Sequence, residues 1–161
     1  MTPPLSRVFL DVGQVYCGRQ PAIVSTVLGS CVSVSLWDRR LGIGGLNHFQ
    51  LPKWNDRNSP TPRYGDIAMD ALFDEMLRLG CCGEDLVAKV FGGAAMYGPA
   101  GSGVGSANID MADAWLRRHG FRVAAECTGG SEGRHLQLFT VTGEVRVRPV
   151  ARLDPARASV E

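Results

Sequence analysis

Residues 22–38 read AIVSTVLGSCVSVSLWD, two runs rich in β-branched side chains on either side of Gly29, Ser30 and Cys31. Runs of this length and composition are typical of β-strands, and a glycine followed by a serine is typical of a turn. In VSVSLWD, apolar side chains alternate with more polar ones, as they do in a strand with two unlike faces. The segment therefore predicts a strand, a turn that carries Cys31, and a second strand.

On either side of this segment, the chain alternates further strands with two helices. Helical spacing of apolar residues predicts one helix over Asp66–Leu79, with Asp66 as its N-cap, and another over about Ala107–His119. Further strands, which share β-branched or aromatic runs bounded by turn residues, are predicted at 42–49, 86–91, 121–126, 135–141 and 145–148. Strands outnumber helices and the helices lie among them, which predicts a mixed α+β layer fold.

The chain has 161 residues, a length typical of a single domain. We expect that domain to span 1–161, with its core at about 20–150; the end from Pro149 onward, and above all the tail 151–161, is expected to be frayed. The net charge is +1, from 17 basic and 16 acidic residues, so nothing in the charge predicts a nucleic-acid or anionic-membrane partner.

Cysteine usage and hydropathy bear on the compartment. No apolar stretch approaches the roughly 18 residues of a membrane span, and the N-terminal residues lack the apolar run of a secretory signal. We therefore expect no membrane insertion and a cytoplasmic location, where thiols stay reduced. The five cysteines are irregularly spaced and form no CxxC pair, which predicts neither a disulfide framework nor a zinc site.

A glycine-rich stretch of fourteen residues, Gly92–Gly105, separates the strand predicted at 86–91 from the second helix. It departs from the dinucleotide fingerprint, because Ser106 stands where the third glycine is needed, and it lacks the lysine of a phosphate-binding P-loop. A nucleotide-binding α/β protein is therefore a weak alternative. The stretch is either a flexible surface loop or a loop that lines a site.

The candidate nucleophile is Cys31, because backbone N–H groups at a turn can hold the oxyanion that forms when a carbonyl is attacked. A free thiol has a pKa of about 8.5 and needs a partner to be reactive at neutral pH. His48 ends the next predicted strand, and two adjacent strands would bring it beside Cys31. The alternative is that Cys31 is an inert buried cysteine and that His48 belongs to the core or the surface.

Several ordered segments carry a family resemblance that runs from about Ser25 to Val147. They are STVLGSCVSVSLWD (25–38), GGLNHFQLP (44–52), RYGDIAMDALFDEML (63–77), AKVFGGAAM (88–96), VGSAN (104–108) and GGSEGR (129–134). Together they resemble the CheD family of chemoreceptor glutamine deamidases. The resemblance implies an α+β fold of mixed, largely antiparallel stacked β-sheets flanked by helices, similar to toxin-type deamidases.

The resemblance also implies the site. The family's cysteine nucleophile lies in Leu-Gly-Ser-Cys, here Cys31, and its histidine lies in His-Phe-x-Leu-Pro, here His48. Its third member is a hydroxyl residue six positions before the cysteine, here Ser25, with Thr26 beside it as the second candidate to orient the imidazole. The chain departs from the family where Ala107 replaces an arginine and where Cys127 replaces an acidic residue.

The activity implied is that of a cysteine-dependent amidohydrolase, which converts specific glutamines on the cytoplasmic helical region of chemotaxis receptors to glutamate through a thioester. Some family members also hydrolyse glutamyl methyl esters, and in some species a CheC-type phosphatase is a partner. No metal or cofactor is expected. The alternative is a non-catalytic chemotaxis adaptor that binds a receptor or a CheC-type phosphatase.

Overall fold

The computed structural model describes residues 4–150 and contains two β-sheets and two α-helices. The strands of the first sheet lie in the order β1 (Ser6–Phe9), β3 (Ala22–Leu28), β8 (Gly133–Phe139) and β9 (Val145–Val150). The strands of the second lie in the order β2 (Val15–Gly18), β5 (Ile43–Asn47), β4 (Val32–Asp38), β6 (Leu86–Gly92) and β7 (Val123–Thr128). The pairs β1–β3 and β6–β7 are parallel and the others are antiparallel, which confirms the expected mixed, largely antiparallel α+β class.

The second sheet is the middle layer of the molecule. One of its faces packs against the helices α1 (Gly65–Arg78) and α2 (Gly103–Arg118) in a core that includes Val34, Leu36, Met69, Leu72 and Trp115. Its other face packs against the first sheet, where two smaller clusters include Val24, Leu28, Leu46, Leu136 and Leu138. The order of layers is therefore sheet, sheet, helices. No helix within residues 4–150 has the length and apolar character that a membrane span requires.

The start of α1 differs from the sequence-based expectation. Tyr64, not Asp66, is the N-cap, and the Tyr64 side chain makes no capping hydrogen bond. The carboxylate of Asp66 instead accepts a hydrogen bond from the backbone N–H of Trp54 at 3.0 Å. The N-cap prediction was wrong because this acidic side chain fastens the preceding loop to the helix rather than closing the helix end.

The start of α2 also differs, since the helix begins at Gly103 and not near Ala107. Glycine lowers helix propensity, which is why the sequence pattern predicts a glycine-rich loop through Gly105 and a helix only from about Ala107. Gly105 is required by packing: a Cβ at this position would meet the carbonyl oxygens of Gly93 and Ala94. The first turn of α2 therefore lies directly on the backbone that follows β6.

The strands differ from the sequence-based expectation at several points. The short strands β1 and β2 were not predicted, and β7 begins at Val123 rather than at residue 121. Pro149 and Val150, which were expected to be frayed, belong to β9 and pair with β8. The expected frayed tail 151–161 lies outside the described residues, so the domain boundaries stay a prediction.

Candidate active site

Cys31 lies on the turn through which the chain passes from β3 in the first sheet to β4 in the second. Two backbone hydrogen bonds hold this turn: the Gly93 N–H donates to the Cys31 carbonyl at 2.9 Å, and the Ala94 N–H donates to the Gly29 carbonyl at 3.0 Å. Gly92 has φ +105°, and a Cβ there would collide with the Cys31 carbonyl oxygen. The residues after β6 thus fix the backbone of the candidate nucleophile.

His48 follows β5 and is brought to Cys31 by strand pairing. Val32 and Phe49 form a bridge in which each N–H donates to the other's carbonyl at 3.0 Å, and this bridge extends the antiparallel register of β4 and β5. The register places His48 opposite Ser33. Because side chains alternate along a strand, Cys31 and His48 are diagonal neighbours on the face that meets the first sheet. Cys31 is half-buried there, against the cluster that contains Leu28 and Leu136.

The hydroxyl that contacts His48 belongs to Thr26. Its Oγ1 lies 2.7 Å from His48 Nδ1 and 2.6 Å from the Leu10 carbonyl oxygen, and Thr26 is fully buried. Ser25 was expected to make this contact, and that expectation was wrong. Neighbouring residues on a strand point to opposite faces, so Ser25 faces away from His48 and its backbone carbonyl accepts the Leu10 N–H at 2.8 Å.

These contacts determine the tautomer of His48. A carbonyl oxygen can only accept, so the Thr26 hydroxyl donates its one proton to Leu10. Thr26 Oγ1 must then accept from His48, which means that Nδ1 carries the proton of the neutral ring. Nε2 is left as the basic nitrogen, and it is buried without a hydrogen-bond partner among residues 4–150. The lone pair of Nε2 is therefore available to accept a proton, and no hydrogen bond joins it to Cys31 within the described residues.

The electrostatics favour a neutral pair at rest. Burial lowers the pKa of His48 below its ordinary value, and this effect outweighs the Leu10 carbonyl and the Asp11 carboxylate, which raise it. Burial raises the pKa of the Cys31 thiol, and its own backbone N–H opposes the shift. Both directions disfavour a thiolate–imidazolium pair, so His48 can act as a general base while Cys31 attacks.

The turn also offers donors for an oxyanion. The N–H groups of Ser30 and Cys31 donate to no other backbone or side-chain group within residues 4–150. Beside Ser30 lies a cavity of about 300 Å³, whose other walls are residues 94–98 and 102–105 of the glycine-rich segment. This segment therefore borders the turn that carries Cys31. Of the two alternatives that the sequence left open, this position favours a loop that lines a site.

The other cysteines lie in different surroundings. Burial raises the pKa of Cys17 to about 12 and that of Cys81 to about 11, so both are protonated at neutral pH. Cys82 and Cys127 are exposed. Within residues 4–150, no cluster of three or more His, Cys, Asp or Glu side chains could hold a metal ion.

Sequence reasoning missed one member of the site, the carbonyl of Leu10, which accepts a hydrogen bond from the Thr26 hydroxyl. Leu10 directly follows β1, a four-residue strand with mostly exposed side chains. Leu10, at 3% exposure, and the partly buried Val8 connect this segment to the core. A strand this short and exposed leaves little periodic signal in the sequence.

Comparison with known proteins identifies the family of the chain. The family model described as CheD chemotactic sensory transduction matches residues 50–149. The chain belongs to the CheD family. It is 45% identical to a protein of Rhodospirillum rubrum over 152 residues, which cover 93% of this chain and 86% of the relative. It is 42% identical to a protein of Trichlorobacter lovleyi over 144 residues, which cover 88% of this chain and 89% of the relative.

The chain is also 40% identical to a protein of Methanococcus vannielii over 142 residues, which cover 86% of this chain and 92% of the relative. All three relatives carry the name probable chemoreceptor glutamine deamidase CheD. The family-model match begins after His48 and therefore covers neither Cys31 nor His48.

Proposed function

We propose that this protein is a chemoreceptor glutamine deamidase in which Cys31 is the nucleophile and His48 the general base. The observation that carries the proposal is the buried hydrogen bond between Thr26 and His48, which leaves Nε2 basic on the sheet face that also bears Cys31. The names of the CheD relatives supply the substrate class, a glutamine of a chemoreceptor.

In the first half-reaction, His48 Nε2 takes the Cys31 thiol proton as Sγ attacks the carbonyl carbon of the glutamine side chain. The carbonyl oxygen becomes an oxyanion, which the N–H groups of Ser30 and Cys31 can stabilise. The C–N bond then breaks, and the proton on His48 passes to the departing nitrogen. Ammonia leaves and a thioester remains on Cys31.

In the second half-reaction, His48 Nε2 removes a proton from water as its oxygen attacks the thioester carbon. The C–S bond breaks, the proton returns to sulfur, and the side chain is released as glutamate. Thr26 keeps the imidazole in one tautomer and orientation throughout, and it stabilises the Nδ1–H as the ring becomes positively charged. A glutamyl methyl ester would follow the same path with methanol as the leaving group.

The cytoplasmic helical region of a receptor is the proposed binding partner, and we accordingly assign the reaction to the cytoplasm. The half-buried position of Cys31 at a turn supports this choice, because a side chain presented on a helix surface could reach it. The family resemblance adds a CheC-type phosphatase as a further proposed partner, which a pull-down with the purified phosphatase would test.

The test is mass spectrometry of a glutamine-containing chemoreceptor cytoplasmic domain after incubation with the wild-type protein, Cys31→Ala or Cys82→Ala. Cys82 is the matched control, since it is a free cysteine exposed to solvent. We expect the wild type and Cys82→Ala to convert glutamine to glutamate and Cys31→Ala to leave the receptor unchanged. Conversion by Cys31→Ala at the wild-type rate would refute the cysteine mechanism. A protein that binds the receptor without converting it would be the adaptor.

A further inference from the structure

Asn108 joins the two segments that carry the candidate nucleophile and base. It lies in the second turn of α2 and is fully buried. Its side-chain Nδ2 donates to the Ser30 carbonyl at 3.0 Å and to the Gln50 carbonyl at 2.9 Å. Ser30 immediately precedes Cys31, and Gln50 follows His48 by two residues. One amide group therefore contacts both sides of the site.

From these contacts we infer that Asn108 is a positioning residue for the reaction. It holds the Cys31 turn and the His48 segment at a fixed separation through their backbones, without contact with the reacting atoms. The inference rests on the proposed function, because it assigns Asn108 a role in the geometry of the Cys31–His48 pair.

The chemistry of the side chain supports this role. A primary amide carries two N–H donors in a fixed plane, and Asn108 uses both on carbonyl oxygens of different segments. Its Oδ1 is buried and has no hydrogen-bond partner within residues 4–150. A buried unpaired acceptor costs free energy, so an apolar side chain would satisfy packing alone more easily. What asparagine contributes is the pair of donors.

The backbone around the site shows why a link from α2 is available. Gly105, one turn before Asn108, lets the helix rest on the carbonyl oxygens of Gly93 and Ala94. Those two residues also hold the Cys31 turn through their N–H groups. The close approach of α2 to Gly93 and Ala94 therefore also brings the Asn108 amide to the Cys31 turn.

Loss of the amide leaves two carbonyl oxygens facing each other without a donor. Their repulsion should separate the Ser30 and Gln50 segments and disturb the alignment of Sγ with Nε2. A misplacement of about 1 Å at reacting groups costs on the order of 100-fold in rate. We therefore expect kcat to fall about 10- to 100-fold and KM for the receptor domain to change by less than about twofold in Asn108→Ala.

The decisive variant is Asn108→Asp, which keeps the shape of the side chain. The new side chain would face two carbonyl oxygens with no donor when it is a carboxylate, but would restore one hydrogen bond when it is a carboxylic acid. Burial and the adjacent carbonyl oxygens raise the pKa of such a carboxyl group. The ratio of kcat in Asn108→Asp to kcat in Asn108→Ala should therefore increase as the pH is lowered from about 8 to about 6.

The experiment compares the wild type with Asn108→Ala, Asn108→Asp and the control Thr140→Val. Thr140 is also buried and also joins two segments, because its Oγ1 accepts a hydrogen bond from the Ala22 N–H and donates one to the Ala22 carbonyl. Ala22 lies at the end of β3 that is remote from Cys31. Each protein is assayed for folding by circular dichroism, for kcat and KM on the receptor domain, and for the alkylation rate of Cys31 by iodoacetamide. We expect slower alkylation in both Asn108 variants and wild-type kcat in folded Thr140→Val.

The outcomes separate this inference from the proposed function. Wild-type kcat and alkylation rate in folded Asn108→Ala and Asn108→Asp would overturn the positioning role while leaving the deamidase proposal intact. Wild-type activity in Cys31→Ala would instead overturn the deamidase mechanism. Should Asn108→Ala fail to fold, the pH dependence of kcat in Asn108→Asp, referred to the wild type, decides the question, and a pH-independent ratio would contradict the inference.

Discussion

The fully buried Thr26 hydroxyl accepts a hydrogen bond from His48 Nδ1–H and donates one to the Leu10 carbonyl. Thr26→Val removes this hydroxyl at nearly constant volume and leaves both partners unpaired, which costs about 1–3 kcal/mol. We expect kcat/KM for receptor deamidation to fall about 10- to 100-fold, with most activity retained in Thr26→Ser. Ammonia release from the receptor domain measures the effect.

Ser25→Ala is the control for that prediction, because Ser25 points away from His48. We expect its kcat/KM to stay within about twofold of the wild type. A large loss in Ser25→Ala combined with full activity in Thr26→Val would contradict the assignment of the hydroxyl to Thr26.

The pH dependence of the reaction follows from His48 and Cys31. His48 must be neutral to accept a proton, and its pKa lies below the ordinary value of 6.5, so kcat/KM should decline only below that pH. The pKa of Cys31 lies above the ordinary value of 9.0, so the thiol is mostly protonated below that pH. We expect a plateau of kcat/KM from about pH 6.5 to about pH 9. A steady rise between pH 7 and pH 9, typical of an unassisted thiol, would contradict the general-base role.

The sequence could predict the Cys31–His48 arrangement but not the hydroxyl. A turn between two strands and a histidine at the end of the next strand suffice to make the two residues neighbours. To choose between Ser25 and Thr26, one must know which face of β3 points into the core. Ile23 and Val27 share one face and Val24 and Leu28 the other, so hydrophobic alternation alone does not say which face is the core.

At the scale of elements, the end of β6 determines where the Cys31 turn lies. Gly92→Ala introduces a side chain at φ +105° and directly against the Cys31 carbonyl. Backbone strain at positive φ costs about 1–2 kcal/mol, and displacement of the turn adds to it. We expect the free energy of unfolding, measured with urea, to fall by more than about 2 kcal/mol and kcat/KM to fall with it.

Gly101→Ala is the matched control for this change. Gly101 also has positive φ, at +83°, but no atom lies within 4 Å of an added Cβ. We expect it to lose about 1 kcal/mol of stability from strain and to keep wild-type kcat/KM. Equal effects of the two substitutions on activity would show that the contact between Gly92 and Cys31 does not matter.

The long elements could be predicted from the sequence because each presents one continuous apolar pattern. Both helices, β3, β4 and β6 are of this kind. The elements that were missed or shifted depend on tertiary contacts: β1 and β2 have four residues each and gain their stability from neighbours, and α2 begins in glycines that only its packing against Gly93 explains.

At the scale of the whole molecule, stability at alkaline pH should depend on the thiols of Cys17, which is half-buried, and Cys81, which is buried. Burial is the largest cause that raises the pKa of Cys17 to about 12 and that of Cys81 to about 11. A raised pKa favours the protonated thiol in the folded state, so the stabilisation is complete below about pH 9 and is lost as the pH rises towards these values. For Cys17 alone we expect a loss of about 2 kcal/mol between pH 8 and pH 11.

Urea denaturation under reducing conditions at pH 8 and pH 11 measures this loss. Cys17→Ala should show a smaller difference between the two pH values than the wild type, whereas Cys82→Ala should match the wild type because Cys82 is exposed. An unchanged pH dependence in Cys17→Ala would contradict the prediction.

The α+β class could be predicted from the whole sequence, but the order of layers could not. The passage from β3 to β4 switches sheets within three residues, and β3 finds its longest partner in β8, more than 100 residues away. Local patterns carry no information about such distant pairing, since any amphipathic strand could occupy the adjacent position.

The sheet–sheet–helix arrangement has a consequence for synthesis on the ribosome. Thr26 belongs to the first sheet, Cys31 and His48 adjoin the ends of the inner strands β4 and β5 of the second, and Asn108 belongs to the helical layer. Until β8 has been translated, β3 has only the four-residue β1 beside it, and the imidazole lacks its support. A nascent chain therefore carries an ordinary thiol, and the ability to modify other proteins arises only after most of the polypeptide has emerged and folded.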